Sequence, residues 1–373
     1  MGEVEAVCNF CVMDTQANPD IRFDKFGQCN YCRDYDEKAA MELHVGIGNN
    51  FAFKSVVNEL RDSTLPWNCV IGLSGGLDSS YVALKVKELG LRPLVVVIDN
   101  DWGTDEAKNN IRVLISELGL NVVRYNVPHE YRDIQLALLK SGTINAEVYT
   151  DHLIYFYLYK TAIENKIKYI FHGGNIVTEA IMPECWGYDA KDWKFIKSVH
   201  KKHGAPGVDI SDFPHMTLRD WFDVTYIKKI KWFPILNYIR YDQSEAKYEL
   251  KKIGWQGYGY KHMENVYTRW FQGFILPKRW GIDKRKAHFS TLICSGQMTR
   301  RKALELLRDP YYPKEQAIED THEIRRWFGI TPEAMFDLIH GPKRSHRNYR
   351  NSELLFKGLK GFVEMSRKVA TGN

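Results

Sequence analysis

From Trp67 onward, short apolar runs alternate with longer stretches that are apolar on one face only. Trp67–Leu73 reads as a buried strand, followed at once by a Gly-rich turn and a helix predicted over Ser79–Leu89. Val82, Val86 and Leu89 share one face of that helix, and Gly90 stops it. Pro93–Ile98 is the next strand, ending in Asp99-Asn100-Asp101. Thr104-Asp105-Glu106 then opens a helix with a capping hydroxyl and acids at its positive end, striped by Ile111, Leu114, Ile115 and Leu118. Val122–Tyr125 is a third strand, followed by helical patterns over Tyr131–Lys140 and Tyr149–Asn165. Tyr169–Phe171 and Trp232–Leu236 complete five strands. Strands alternating with helices at this spacing predict an α/β fold with a doubly wound parallel sheet.

On either side of this block the pattern changes. Residues 33–65 are polar and mixed, with a helix-like stretch at Phe51–Leu60, and read as a connector. From Lys261 the sequence is basic and helix-rich without clear strands. The expected organisation is a cysteine-bearing module over 1–45, the α/β domain over 46–260 and a mainly helical region over 261–373.

Composition adds exclusions. With 44% hydrophobic and 26% charged residues the 373-residue chain is an ordinary globular one, not a disordered one. Its apolar runs fall well short of the roughly 20 residues a membrane helix needs. Met1–Ala6 carries neither a signal-peptide pattern nor a myristoylation signal, so a cytoplasmic location without membrane insertion is expected. A net charge of +6 does not demand a nucleic acid partner; a phosphorylated small substrate accounts for it equally. The aromatic residues, 13% of the chain, read as core rather than as a stacking platform.

Four of the seven cysteines form Cys8-x-x-Cys11 and Cys29-x-x-Cys32. Two such pairs 17 residues apart have zinc-ribbon spacing, each pair giving two thiolates to one tetrahedral Zn²⁺. Four protein ligands close the site, so its zinc is structural; an iron–sulfur cluster is the other occupant such a set accepts. Cys69 sits in an apolar run, while Cys185 and Cys294 are isolated and are the available nucleophiles.

The chemistry concentrates after the first strand, in Ser74-Gly75-Gly76-Leu77-Asp78-Ser79-Ser80. Small residues between a strand and a helix let backbone N–H groups close on an anion at the helix N-terminus. The lysine of a Walker A loop is absent, and the pattern is not GxGxxG. Asp78 is placed to orient the loop or a metal, and Asp99 lies at the adjacent strand end. His172-Gly173-Gly174-Asn175, with Glu179 beyond, follows the fourth strand and faces the same crevice. Asn175 and Glu179 read there as acceptor- or metal-facing. His262 with Glu264 is a candidate acid–base pair.

The SGGxDS run resembles the PP-loop of the N-type ATP pyrophosphatases, which include GMP, NAD and asparagine synthetases and tRNA-thiolating enzymes. That resemblance implies ATP with Mg²⁺, adenylation of a substrate oxygen and release of pyrophosphate, with Ser74, Gly75, Gly76, Asp78, Ser79 and Ser80 around the phosphates. The cysteine pairs, the loop, Gly173-Gly174-Asn175, Lys261-His262-x-Glu264-Asn265 and Ser295–Arg300 occur together in this order. So does Phe274-x-x-Pro277-x-x-x-Gly281-x-Asp283-Lys284-Arg285. The combination resembles the N-acetyl sugar amidotransferase family of surface-polysaccharide biosynthesis, the WbpG/PseA type. Membership implies conversion of an acetamido group on a nucleotide-activated sugar to an acetamidino group, with AMP and pyrophosphate released. It also implies a separate glutaminase subunit supplying ammonia, and no glutaminase signature is visible here. The basic block Lys278, Arg279, Lys284, Arg285, Lys286, Arg300 and Arg301 would suit the sugar-nucleotide phosphates. The rival readings are a tRNA-thiolating enzyme and an ATP-sensing module without chemistry.

Overall fold

The computed structural model describes residues 6–45, 50–127 and 131–358. Met1–Glu5, read above for targeting signals, lie outside them. The strands β1 (Cys69–Gly72), β2 (Pro93–Asp99), β3 (Asn121–Asn126), β4 (Tyr169–His172) and β5 (Lys231–Pro234) form one parallel sheet, ordered β3-β2-β1-β4-β5. Successive side chains alternate between two cores. Val70, Leu94, Val96 and Ile170 face one, and Cys69, Ile71, Val95, Val97 and Phe171 the other. Burial on both faces is why β1 and β2 read as unbroken apolar runs instead of alternating ones.

Helices α1 (Asn30–Glu42), α2 (Phe51–Arg61), α3 (Leu77–Glu88), α4 (Asp105–Glu117), α5 (Tyr131–Ser141) and α6 (Val148–Glu164) precede β4. α7 (Ile176–Glu179), α8 (Trp193–His203) and α9 (Leu218–Phe222) lie between β4 and β5. α10 (Gln243–Lys252), α11 (Val266–Trp270), α12 (Lys284–Cys294), α13 (Arg300–Arg308), α14 (Lys314–Phe328) and α15 (Pro332–His340) follow. α2, α3 and α10 cover one face of the sheet, and α5, α6 and α8 the other. The sheet is thus doubly wound, with a helical C-terminal region. Among the described residues no helix is long and apolar enough to cross a membrane.

Three expectations change. The stretch read as a connector holds two helices: α1 buries Cys32 and Tyr35 and lies against α7 and α12, and α2 buries Phe53, Val57 and Leu60. The helix after the Gly-rich turn begins at Leu77, because Gly76 is the extended N-cap and Asp78 already sits in the first turn. β5 ends at Pro234, which has no N–H to continue a ladder, and Ile235–Asn237 turn away in a 3₁₀ helix.

The cysteine module is bonded to the helical region. Val12 N–H donates to Ser290 Oγ at 3.2 Å, and the Arg300 guanidinium donates to the carbonyls of Cys8 and Cys11 at 2.9 Å each. Lys286 pairs with Asp14. The sequence order changes sides between β1 and β4, and the loops leaving these two strands meet above the sheet. In open α/β sheets ligands bind at that position.

Candidate active site

Gly75 sits at φ +79°, and a Cβ there would lie 2.4 Å from the Ala107 carbonyl oxygen, so only glycine fits. Its own carbonyl accepts from Asn110 Nδ2 at 3.2 Å and from Trp255 Nε1 at 3.1 Å, which fixes the turn. Ser74 and Ser79 hydroxyls share a 3.0 Å hydrogen bond across the loop, and Gly76 N–H donates to Ser74 Oγ. Leu77 N–H, at the start of α3, donates to Tyr258 OH at 2.8 Å. These serines and the N-terminus of α3 face a cleft of about 2730 Å³. Ser80, expected in the cradle, is instead fully buried behind it and is no part of the cleft wall.

Asp78 projects from the first turn of α3 and joins groups far away in sequence. Tyr241 OH donates to one of its oxygens, and Lys261 Nζ donates to the other at 2.8 Å. The same ammonium lies 2.6 Å from Glu179 Oε1. Burial opposes the charge on Lys261, but the carboxylates of Asp78 and Glu179 outweigh that and raise its pKa. The sequence brought Asp78 and Glu179 to one crevice; Lys261 and Tyr241, which connect them, went unread as site residues. Lys261 stands in the Lys261-His262-x-Glu264-Asn265 run, but nothing local says that it reaches Asp78.

Gly173 touches the loop: a Cβ there would stand 2.9 Å from Asp78 Cβ. Asn175 is the N-cap of α7, its Oδ1 accepting from Thr178 N–H at 2.9 Å and its Nδ2 donating to Gly173 O. Its side chain is thereby consumed in the strand-to-helix turn, whereas Glu179 reaches Lys261. Asp99 remains exposed at the end of β2 on the cleft wall.

Residues 264–266 are stitched to the segment after β2. Thr104 N–H donates to Glu264 O at 3.0 Å, and Val266 N–H to Trp102 O at 2.8 Å. This aims Glu264 at the loop, where a Cβ on Gly76 would lie 2.7 Å from Glu264 Oε1. His262 Nδ1 is 4.0 Å from Glu264 Oε1. Burial, then Lys261 and Lys284, push His262 well below its ordinary pKa, so it stays neutral. Burial pushes Glu264 up to about 7. Of the two, Glu264 has the titration range for proton transfer near neutrality.

The basic block is mostly spent on structure. Arg285 is buried and binds Asp283 and the carbonyls of Leu306 and Asp309. Arg279 binds the carbonyls of Leu338 and Pro342, while Arg300 and Lys286 hold the cysteine module. Lys284 and Arg285 both line the cleft, Arg285 with its guanidinium already bonded to Asp283 and two carbonyls. The Arg285 guanidinium is thus occupied by protein partners; guanidinium forks that cap carbonyls are indistinguishable in sequence from those that await a ligand.

Cys8, Cys11, Cys29 and Cys32 are all buried, with their sulfurs within 4.8 Å of one another. Cys8–Cys32, Cys11–Cys29 and Cys29–Cys32 are separated by 3.9, 3.6 and 3.6 Å. Tetrahedral Zn–S bonds of about 2.3 Å imply sulfurs about 3.8 Å apart, so the set fits zinc. Backbone N–H groups of Phe10, Cys11 and Met13 aim at these sulfurs at 3.4 Å. Among the described residues no other group of three or more metal-binding side chains converges. Asp78 and Glu179 would need nucleotide phosphate oxygens to complete a Mg²⁺ shell.

Residues 264–362 match the family model for the C-terminal domain of the LPS biosynthesis protein WbpG-like family. This part of the chain is similar to WbpG-like C-terminal domains. The WbpG-like segment begins at Glu264, facing the loop, and includes α12 and its Lys284. No curated protein gives a significant match. Among solved structures, an NMN synthetase from Francisella tularensis is 16% identical, covering 76% of this chain and 93% of its own, with a TM-score of 0.29. An NH3-dependent NAD synthetase from Campylobacter jejuni, in complex with the nitrate ion, is 11% identical over 81% of this chain and 98% of its own, with a TM-score of 0.27. Neither likeness is close enough to bear on the chemistry of this chain.

Proposed function

We propose that this protein is the synthetase subunit of an ATP-dependent amidotransferase acting on an N-acetyl group of a nucleotide-activated sugar. The observation that carries the reading is the junction of the loop with Asp78, Lys261 and Glu179, opening into a cleft partly walled by the WbpG-like domain. ATP would lie with its leaving pyrophosphate against Ser74, Ser79 and the amides at the start of α3, where fixed dipoles stabilise developing charge. Magnesium, held through Asp78 and Glu179 together with the phosphates, would neutralise part of that charge. The acetamido oxygen attacks the α-phosphorus and pyrophosphate leaves. Ammonia from a separate glutaminase then adds to the activated carbon, loses a proton and expels AMP. Glu264 is the group positioned and titrated to take that proton.

Incubation with ATP, ammonia and a series of UDP-N-acetyl sugars should give acceptor-dependent AMP and pyrophosphate in equal amounts. Absence of both products with every acetamido sugar overturns the reading.

Glu264 gives a pH signature. Its folded pKa, about 7, lies above the ordinary 4.5, so the buried charge costs stability increasingly as pH rises from about 4.5 through 7. The full cost is roughly 3 kcal/mol above that range. Glu264→Gln should therefore melt above the wild type by more at pH 8 than at pH 5, and calorimetric titration with a non-hydrolysable ATP analogue should show tighter binding at pH 8. Equal melting gaps at both pH values would contradict the buried carboxylate.

Cysteine chemistry is not needed. Cys185 lines the cleft, but burial, with Asp20 and Glu184, raises its thiol pKa and disfavours the nucleophilic thiolate. The double variant Cys185→Ser, Cys294→Ser should keep amidination within about twofold of wild type. A loss of more than tenfold would favour sulfur transfer.

A further inference from the structure

Beyond the loop and His262, the same cleft is lined by the start of α6, the π-helical turn after α11 and α12. Polar residues of this part include Glu147, Asp151, Gln272, Lys284 and His288. Glu147 Oε2 accepts from Gln272 Nε2 at 2.9 Å. Gln272 is only 6% exposed, yet its Oε1 has no partner; His288, 9% exposed, has an unpartnered Nδ1. Buried polar atoms of this kind are nearly always satisfied, and both residues line the cleft, where a seated ligand would offer the missing partners. Gln272 lies on the wide π-helical segment Phe271–Trp280, an uncommon geometry that recurs at functional sites. Trp232, Phe271 and Trp280 give the same cavity apolar walls.

These groups are selective in sign. Two carboxylates accept, one ammonium donates, and the amide oxygen and a neutral imidazole fill the gaps. Asp151 is exposed to the cleft and Glu147 is buried beside it, and the Lys284 ammonium favours the charged form of both acids. With two carboxyl groups facing a single ammonium, a diphosphate would find no surplus positive charge here. A ring whose hydroxyls donate to carboxylates and whose amide group pairs with a lysine and a glutamine meets complementary groups at each point. Single-ligand pockets are usually about 300–1,000 Å³, so a cleft of about 2730 Å³ holds a nucleotide and a second ligand together.

We propose that Glu147, Asp151, Gln272, Lys284 and His288 form the acceptor chamber, which binds the uncharged hydroxyl- and acetamido-bearing sugar ring and leaves the acceptor's diphosphate outside. This rests on the amidotransferase reading for the identity of the acceptor. The chamber selects the acceptor through its ring, independently of ATP at the loop.

The test is binding, which needs no turnover. Full-length protein is titrated calorimetrically with UDP-N-acetylglucosamine, UDP-N-acetylgalactosamine, UDP alone and α,β-methylene-ATP. At least one sugar nucleotide should bind at least tenfold tighter than UDP. Asp151→Asn, which changes a side chain lining open space, and Gln272→Leu should each weaken that binding at least tenfold. Both should leave the ATP analogue within twofold, and circular dichroism verifies that each variant is folded. Sugar binding unchanged in the folded variants overturns the proposal, as does UDP binding as tightly as both sugar nucleotides. Ammonium chloride displacing the sugar competitively would identify the acids as an ammonium site and overturn it too. Sugar binding that depends on these residues but yields no AMP or pyrophosphate would sink the reaction and leave the chamber standing.

Discussion

Asp78→Asn should abolish acceptor-dependent pyrophosphate release, by at least about a thousandfold, while leaving the protein folded. The substitution keeps the side chain's shape but takes away the charge that Lys261 and Tyr241 both address. Lys261, only 16% exposed at its side chain, would keep Glu179 as its remaining close ion-pair partner among the described residues. Its ammonium would swing toward Glu179, and the loop's first turn would lose its tie to residues 241 and 261. A thousandfold loss is about 4 kcal/mol of transition-state stabilisation, within the span that one preorganised electrostatic group supplies. Truncation to alanine adds a stability cost of about 3–5 kcal/mol, as expected when one partner of a buried ion pair is deleted. Steady-state kinetics of the Asn variant, with circular dichroism as the folding control, is the measurement. Activity within tenfold of wild type would remove Asp78 from the chemistry.

The second large effect is expected at the cysteines. Purified protein should contain one zinc per chain by elemental analysis, and Cys8→Ser with Cys11→Ser should lose it. The fold should then weaken by several kcal/mol, since metal binding at such sites is itself folding energy. For a chain of this size that corresponds to a fall of roughly 10 °C in melting temperature. Activity should fall as well, because Arg300, Ser290 and Lys286 all bind the module, and α12, which begins at Lys284, carries His288. Iron with acid-labile sulfide in place of zinc, or a melting temperature within 2 °C of wild type, would refute the assignment.

Much of the architecture could be read from residue patterns because the patterns are local. β1 and β2 announce themselves as apolar runs since both faces of each strand are buried. The loop is a contiguous motif with a strand before it and a helix after it, and the cysteine pairs carry their own spacing. What could not be read depends on long-range contact. α1 is polar around most of its circumference, with only Cys32 and Tyr35 buried, so it lacks the stripe that marks a helix. Lys261 opens a legible motif run, but its contact with Asp78 spans 183 residues and no local pattern announces it. Arg285 and Arg300 looked like ligands for phosphate and proved to cap carbonyls. Asn175 shows the middle case. An asparagine between Gly-Gly and an apolar turn is a helix cap on its face, and Asn175 fills that role.

The bonds from Arg300 to the carbonyls of Cys8 and Cys11 span 292 and 289 residues. During synthesis the cysteine module emerges before the sheet, yet the groups that hold it in place emerge only after the whole sheet has been made. Early metal capture would leave the module as a loose bead on the growing chain. Its docking onto α12 and α13 acts as a clasp that closes when the far segment arrives. Closure by such distant contacts is intrinsically slow, so the clasp is expected to be the last part of the molecule to form.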